Sequence, residues 1–346
     1  MRRWYPLVLF ALAGCTVTPD PVTPTDLETA GGGVYILNEG LWGQSNASLS
    51  LYDPQSQIVQ QYLFSAANGR SLGDVGNYIL SRGSVAYIVV NGSDRIEIIE
   101  TRTHRSRGTI TLAPGVSPRQ LVVMNDSVGL VTNLYDASVS VLDFQTFTER
   151  ARVPVGPHPE GIAIASGIAF VANSGLGTGR SVSMIELATL SAIGSLDVGE
   201  NPGDVLTIDG SQVFVLCAGS YGDFSDPDDD TPATLITIDA TQRRVVDSVQ
   251  IGGHAFRMAS DGTSRIYISG SGAVLRIDTR NPGIIETFVA GEYYGVGVDS
   301  ATGDVYLSDA RTFVVPGEVR VFSGSGIEKG RFEAGLVPGR FAFVRQ

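Results

Sequence analysis

The sequence predicts an all-β fold: a seven-bladed β-propeller of four-stranded antiparallel blades, closed by a C-terminal strand that pairs into the first blade. Three observations predict it. An apolar strand recurs seven times, an alternating strand follows each copy, and the chain ends in a strand-like run with no neighbour of its own.

The recurring strand reads Val34 to Asn38, Tyr87 to Asn91, Leu130 to Asn133, Phe170 to Asn173, Val213 to Cys217, Ile266 to Ser269 and Val305 to Asp309. Each is the second strand of a blade. The third strands follow at Leu49 to Asp53, Ile96 to Glu100, Val139 to Asp143, Val182 to Glu186, Leu235 to Asp239, Val274 to Asp278 and Val319 to Phe322. Their period-two alternation predicts one buried face. A more polar outer strand comes next, as in Arg150 to Val155 or Arg244 to Ile251, and then the inner strand of the following blade, as in Pro118 to Val123 or Pro159 to Ile164. The repeat of about 47 residues suits a propeller blade. The first copy lacks an inner strand, and Pro338 to Val344 is the run left without a partner. Joining the two ends removes an exposed sheet edge.

Composition suits this fold. Of 346 residues, 43% are hydrophobic, and 42 Gly and 16 Pro supply turns. A formal net charge of −12 argues against nucleic acid, whose phosphates need a basic footprint. Cys15 and Cys217 are the only cysteines, so the chain has no disulfide framework. Cys217 closes an apolar run and reads as a small buried hydrophobe.

Residues 1–14 read as a lipoprotein signal peptide. Arg2 and Arg3 precede an apolar stretch, Leu7 to Ala13, too short to span a bilayer. Leu12-Ala13-Gly14-Cys15 looks like a lipobox, which makes Cys15 the lipidation site. Residues 15–30 form a Pro- and Thr-rich tether, and residues 31–346 the propeller. Two acyl chains would hold such a protein at a membrane surface. Thr16 after the cysteine, in place of Asp, points to the outer membrane, on its cell-surface or periplasmic face.

The unit in which Leu130-Val131-Thr132-Asn133 is followed by Val139-Ser140-Val141-Leu142-Asp143, and later by Gly156-Pro157-His158-Pro159, resembles the YVTN propeller repeats of bacterial and archaeal surface proteins. The opening Leu37-Asn38-Glu39-Gly40-Leu41-Trp42-Gly43, with Leu72-Gly73-Asp74-Val75-Gly76 and Ser117-Pro118-Arg119, resembles a narrower group of YncE-like propeller lipoproteins of Bacteroidota. Some of that group capture vitamin B12 at the cell surface together with a TonB-dependent outer-membrane transporter. The resemblance therefore implies a corrinoid or another bulky small molecule as ligand, and such a transporter as partner.

In a propeller, the turns into the inner strands and the loops leaving the second strands share one end of the ring. The first set supplies Asp74, Arg119, Glu160, Asp204, Phe256, Arg257, Tyr294 and Arg340, and the second Trp42, Tyr135, Tyr221 and Arg311. Together they are the candidate ligand-binding residues: aromatics give contact area and polar groups give direction. Trp42 suits ring stacking or ordinary loop packing. The recurring Asn38, Asn91, Asn133 and Asn173 read as turn chemistry, and so do the acids that end the third strands. Asp226, Asp228 and Asp230 could hold Ca²⁺, or form a solvated acidic insertion without the Gly and Glu of a calcium loop.

A scaffold that binds another envelope protein is an alternative, since a fold alone leaves function open. So is a lactonase- or lyase-like enzyme, with His158 and Glu160 as base and acid and Arg119 polarising a substrate oxygen. The sequence nominates no catalytic residue beyond these and no cofactor, because it has no repeated metal-ligand pattern, quinone-type tryptophan pattern or phosphate loop.

Overall fold

A computed structural model describes residues 32–220, 222, 230–270 and 272–345. The expected signal peptide, Cys15 and tether lie outside the described residues, as do Tyr221, Asp226 and Asp228.

Twenty-eight strands, numbered in chain order, form seven four-stranded antiparallel sheets among the described residues. The first blade contains β1 (Gly33–Asn38), β2 (Ser48–Asp53) and β3 (Ile58–Gln60), and takes its innermost strand, β28 (Pro338–Val344), from the far end of the chain. The closing register sets Val34 opposite Phe343 and Ile36 opposite Phe341. Tyr306 of the seventh blade packs edge-on against Phe343 at 5.5 Å, and Tyr52 stacks on Phe332 at 4.2 Å. The seam is thus a hydrophobic interface as well as a ladder of backbone bonds.

Each remaining blade is four consecutive strands. Their inner strands are β4 (Gly76–Arg82), β8 (Pro118–Asn125), β12 (Pro159–Ala165), β16 (Pro202–Thr207), β20 (Ala255–Ser260) and β24 (Gly295–Val298). Second strands are the driest layer: all six residues of Ile168–Asn173 are buried. Phe170 and Phe214 in this layer are almost wholly removed from water, and truncating such a side chain to Ala costs about 3–5 kcal/mol. The outer strand Ser191–Asp197 is exposed along most of its length.

Pro316–Phe322 keeps the expected alternation of a third strand, but others depart from it. Ser138–Asp143 is buried at every position, because adjacent blades cover both its faces. Its small serines do not meet water; they bind the recurring asparagines. Asn133 Nδ2 donates to Ser138 Oγ at 3.0 Å and Ser140 Oγ at 2.7 Å. Asn173 does the same to Ser181 and Ser183, and Asn38 to Ser48 and Ser50, at 2.9–3.1 Å. Asn91 instead donates to the Pro118 carbonyl at 2.9 Å. None of the four has a left-handed backbone. Asn38, Asn133 and Asn173 tie the second strand to the third through their side chains, and Asn91 ties its blade to the next, which corrects the expectation of local turn chemistry.

The acids ending the third strands do cap turns. Asp143 accepts from the backbone of Gln145 and Thr146 at 2.8 and 3.0 Å and pairs with Arg150, and Asp239 accepts from Thr241 and Gln242. The Thr146 backbone bond, with Arg150, lowers the Asp143 carboxyl to about 2. Blade 1 differs from its siblings: its outer strand shrinks to three residues, and a short helix, α1 (Leu63–Asn68), takes over the covering role by burying Leu63 and Phe64. Cys217 is buried as expected, which pushes its thiol up to about 12. No helix among the described residues is long and apolar enough to cross a membrane.

Candidate functional site

The inner strands start in an unusual way, and that start builds the site. In β4, β8, β12, β16, β20 and β28 the pairing register breaks within the first residues; only β24 pairs regularly. A bulge places extra residues opposite one partner and re-aims their side chains. Consecutive residues such as Arg119 and Gln120, or Phe256 and Arg257, therefore line the same cavity. Five of these strands are entered through a non-glycine residue in the left-handed region: Val75, Ser117, His158, Asn201 and Val337, with φ of 50–57°. Four are followed by Pro, which accounts for the Gly-x-x-Pro spacing seen in the sequence. The glycine of that spacing has a reason too. A Cβ on Gly156 would lie 2.5 Å from the Asn173 side chain, on top of the asparagine tie.

A cavity of about 160 Å³ opens at this end of the ring, lined by Asn77, Arg119, Gln120, Glu160, Phe256, Arg257 and Arg340 among others. Three guanidiniums meet three carboxylates here. Arg119 Nε donates to Glu160 at 2.6 Å, and Asn77, with its amide nitrogen turned toward the Arg119 carbonyl, accepts from Arg119 Nη1 at 3.0 Å. Arg340 grips Asp204 with two bonds of 3.2 Å and lies over the Tyr78 ring at 5.5 Å; Asp204 also accepts from the Met258 backbone. Arg257 is held least. Its Nη2 stands 3.8 Å from Glu39, beyond hydrogen-bond distance, and its buried Nε has no partner. Burial works against its charge, while Tyr294 and the carboxylates of Glu39, Asp204 and Glu160 hold its pKa above the usual value. Tyr294 donates to Glu39 at 3.0 Å, and burial together with that carboxylate raises its phenol to about 12.

A second cavity of about 360 Å³ adjoins the first through the shared Phe256, with Glu292, Tyr294, Asp309, Arg311 and Phe313 in its wall. Tyr294 and Phe313 meet edge to face at 5.4 Å.

Of the residues nominated from sequence, Arg119, Glu160, Phe256, Arg257 and Arg340 line the central cavity, with Asp204 bound to Arg340 behind it. Tyr294 and Arg311 line the second, and Arg311 also donates to the Pro316 carbonyl. Trp42 and Tyr135 are exposed loop tips, and Tyr135 meets His158 edge-on at 6.2 Å. Asp74 is a correction. It precedes β4 by two residues and is buried, and it accepts from the Gly43 backbone at 2.8 Å to fix the Trp42 loop. Asn77 lines the mouth from this blade instead, because the register of β4 breaks after Gly76. His158 does not line the cavity, and Glu160 is bound to Arg119, so the two are not assembled as an acid and base. Asp230 binds the Gly222 backbone and lies 3.4 Å from His254, and no metal-holding cluster occurs among the described residues.

Sequence reading placed Gln120 beside Arg119 at its strand opening, and missed Glu39, Asn77, Tyr78 and Phe313. Only Glu39 carried a signal, standing directly after the first recurring strand; the others depend on bulges and loop folding.

Similarity to known proteins is at the level of the fold. No curated protein matches the chain. A quinoprotein alcohol dehydrogenase-like protein from Bacteroides thetaiotaomicron is 16% identical with a TM-score of 0.67, over 90% of this chain and 78% of that one. A candidate 6-phosphogluconolactonase from Bacteroides fragilis is 12% identical with a TM-score of 0.68, over 91% and 99%. Hydrazine synthase from Kuenenia stuttgartiensis is 17% identical with a TM-score of 0.62, over 78% and 95%. At such identities these structures share the architecture and nothing finer. A family model matches residues 32–314, most of the propeller, and the chain belongs to that family, described as a domain of unknown function (DUF5074).

Proposed function

We propose that the protein binds a bulky polar ligand at the mouth of its ring without transforming it, as an outer-membrane lipoprotein anchored through Cys15. The observation that carries this reading is the convergence of unlike polar side chains from several inner strands on one concave end, beside an aromatic-walled cavity. Glu160 is engaged by Arg119, which favours binding over acid–base chemistry.

Vitamin B12 or another corrinoid is the ligand we place first, on the sequence resemblance and on this mixture of arginines, amides and rings. The central cavity, about 160 Å³, admits one arm of such a molecule and not the whole. The corrin ring would lie across the mouth, its amide arms reaching Arg119, Gln120 and Arg257 and its edge meeting Trp42. A TonB-dependent transporter would receive it. Titration of the purified protein with cyanocobalamin is expected to show micromolar or tighter binding, and no heat at micromolar ligand would overturn the corrinoid reading. Labelled palmitate is expected on the wild-type protein and not on Cys15→Ala.

One observation favours a second reading, an envelope scaffold. Trp42, Tyr135, Leu176, Phe313 and Val314 are exposed apolar tips on the loops that leave second strands, and such groups suit protein contact.

A further inference from the structure

We infer that the central mouth and the cavity beside it form one site for a flat-ringed monoanion, such as an aromatic carboxylate. The inference rests on reading the mouth as a ligand site, and not on a corrinoid as the ligand.

The three arginines of the mouth differ in what they hold. Arg119 and Arg340 are committed to Glu160 and Asp204 through direct hydrogen bonds. Arg257 makes one long bond, from Nη1 to the Phe256 carbonyl at 3.4 Å, and its Nε is buried without a partner. A guanidinium is an all-donor fork that matches the two oxygens of a carboxylate, and a buried donor left unmade is costly. Gln120 Oε1 and Arg340 Nε are also unpartnered on the same cavity wall.

The ring half of the ligand follows from the second cavity. The Arg257 guanidinium lies 5.7 Å from the centroid of Tyr294, whose ring, with those of Phe256 and Phe313, walls that space. Its volume, about 360 Å³, is at the lower end of the range for small-molecule sites, roughly 300–1,000 Å³. A planar group placed among these rings can direct an attached carboxylate to Arg257. Charge limits the ligand further. Glu39 lies beside Arg257, and Glu292 and Asp309 sit in the wall of the second cavity, so a second negative charge meets repulsion.

The test is calorimetric titration of the full-length protein with 2-naphthoate, 2-naphthamide, cyclohexanecarboxylate and 2-naphthyl phosphate. 2-Naphthoate is expected to bind best, with the amide weaker by about tenfold or more, the scale of a charge-assisted hydrogen bond. Arg257→Gln is expected to remove the difference between acid and amide, and Phe313→Ala to weaken both. Equal binding of acid and amide to the wild-type protein would overturn the inference, whatever the variants do. Cyanocobalamin binding with no response to 2-naphthoate would overturn it and leave the ligand-site reading standing. Silence toward every probe would overturn both.

Discussion

The hairpin junctions and the pore mouth lie within a few residues of each other in the blade, yet follow opposite rules. In blades 1, 3 and 4 the junction is the same object: an asparagine ending the second strand holds two serines of the third. At the mouth the blades present Asn77, Arg119, Glu160, Asp204, Arg257 and Arg340, drawn from equivalent strand openings, and neutral, cationic and anionic groups stand at the same place in different blades. Residues that recur answer a need every blade has. Where the fold requires only a bulge, the side chain is free to differ, and the differences there add up to a site.

That contrast can be broken at several points. Deleting Pro338 to Gln346 is expected to have the largest effect, since it strips β1 of its inner neighbour and exposes the seam of Tyr306, Val34 and Ile36. Cooperative unfolding should be lost, and a melting curve like that of the intact chain would refute the closure. Asn173→Ala comes next. It takes the amide donor from the half-buried Ser181 and the buried Ser183, leaving Ser183 only the Gly156 N–H, at a cost of about 1–3 kcal/mol in chemical denaturation. A loss no larger than that of an exposed substitution would show the tie to be incidental.

Alkali should probe core and mouth separately. Burial raises the Cys217 thiol from 9.0 to about 12, and the Tyr294 phenol rises from 10.0 to about 12. Both pKa values are raised on folding, so each contribution is intact below the unfolded value and lost as pH climbs toward 12. Cys217→Ala is expected to flatten the decline that begins near pH 9, and Tyr294→Phe only the part above pH 10. A decline unaltered by either variant would contradict these assignments. Trp42→Ala should change stability least, within about 0.5 kcal/mol, because the side chain is 68% exposed. A larger loss in thermal melting would place Trp42 in the packing of its loop.

The propeller was legible because a blade repeats itself, and each copy of an apolar strand ending in Asn, such as Phe170 to Asn173, reinforces the others. Ring closure was legible from a mismatch between the two ends. The site was legible only in part. Arg119 and Glu160 follow a Pro that marks a strand opening, and counting from it finds them. Asp74 was misplaced because blade 2 has no such Pro, and its inner strand begins two residues later, after Val75 turns left-handed. Phe313 comes to Tyr294 through a loop whose path no spacing encodes. The asparagine ties were visible as a pattern but not as an interaction, because their serine partners look like the polar half of an ordinary alternating strand.

The most direct test of the contrast is a paired comparison of Arg257→Gln and Asn173→Ala, each measured for 2-naphthoate binding and for melting. Arg257→Gln is predicted to melt close to wild type and bind 2-naphthoate about tenfold more weakly, while Asn173→Ala melts earlier and binds with wild-type affinity. The reverse assignment, or binding loss in both in proportion to their melting temperatures, would contradict the division between repeated residues that build the ring and unrepeated ones that build its site.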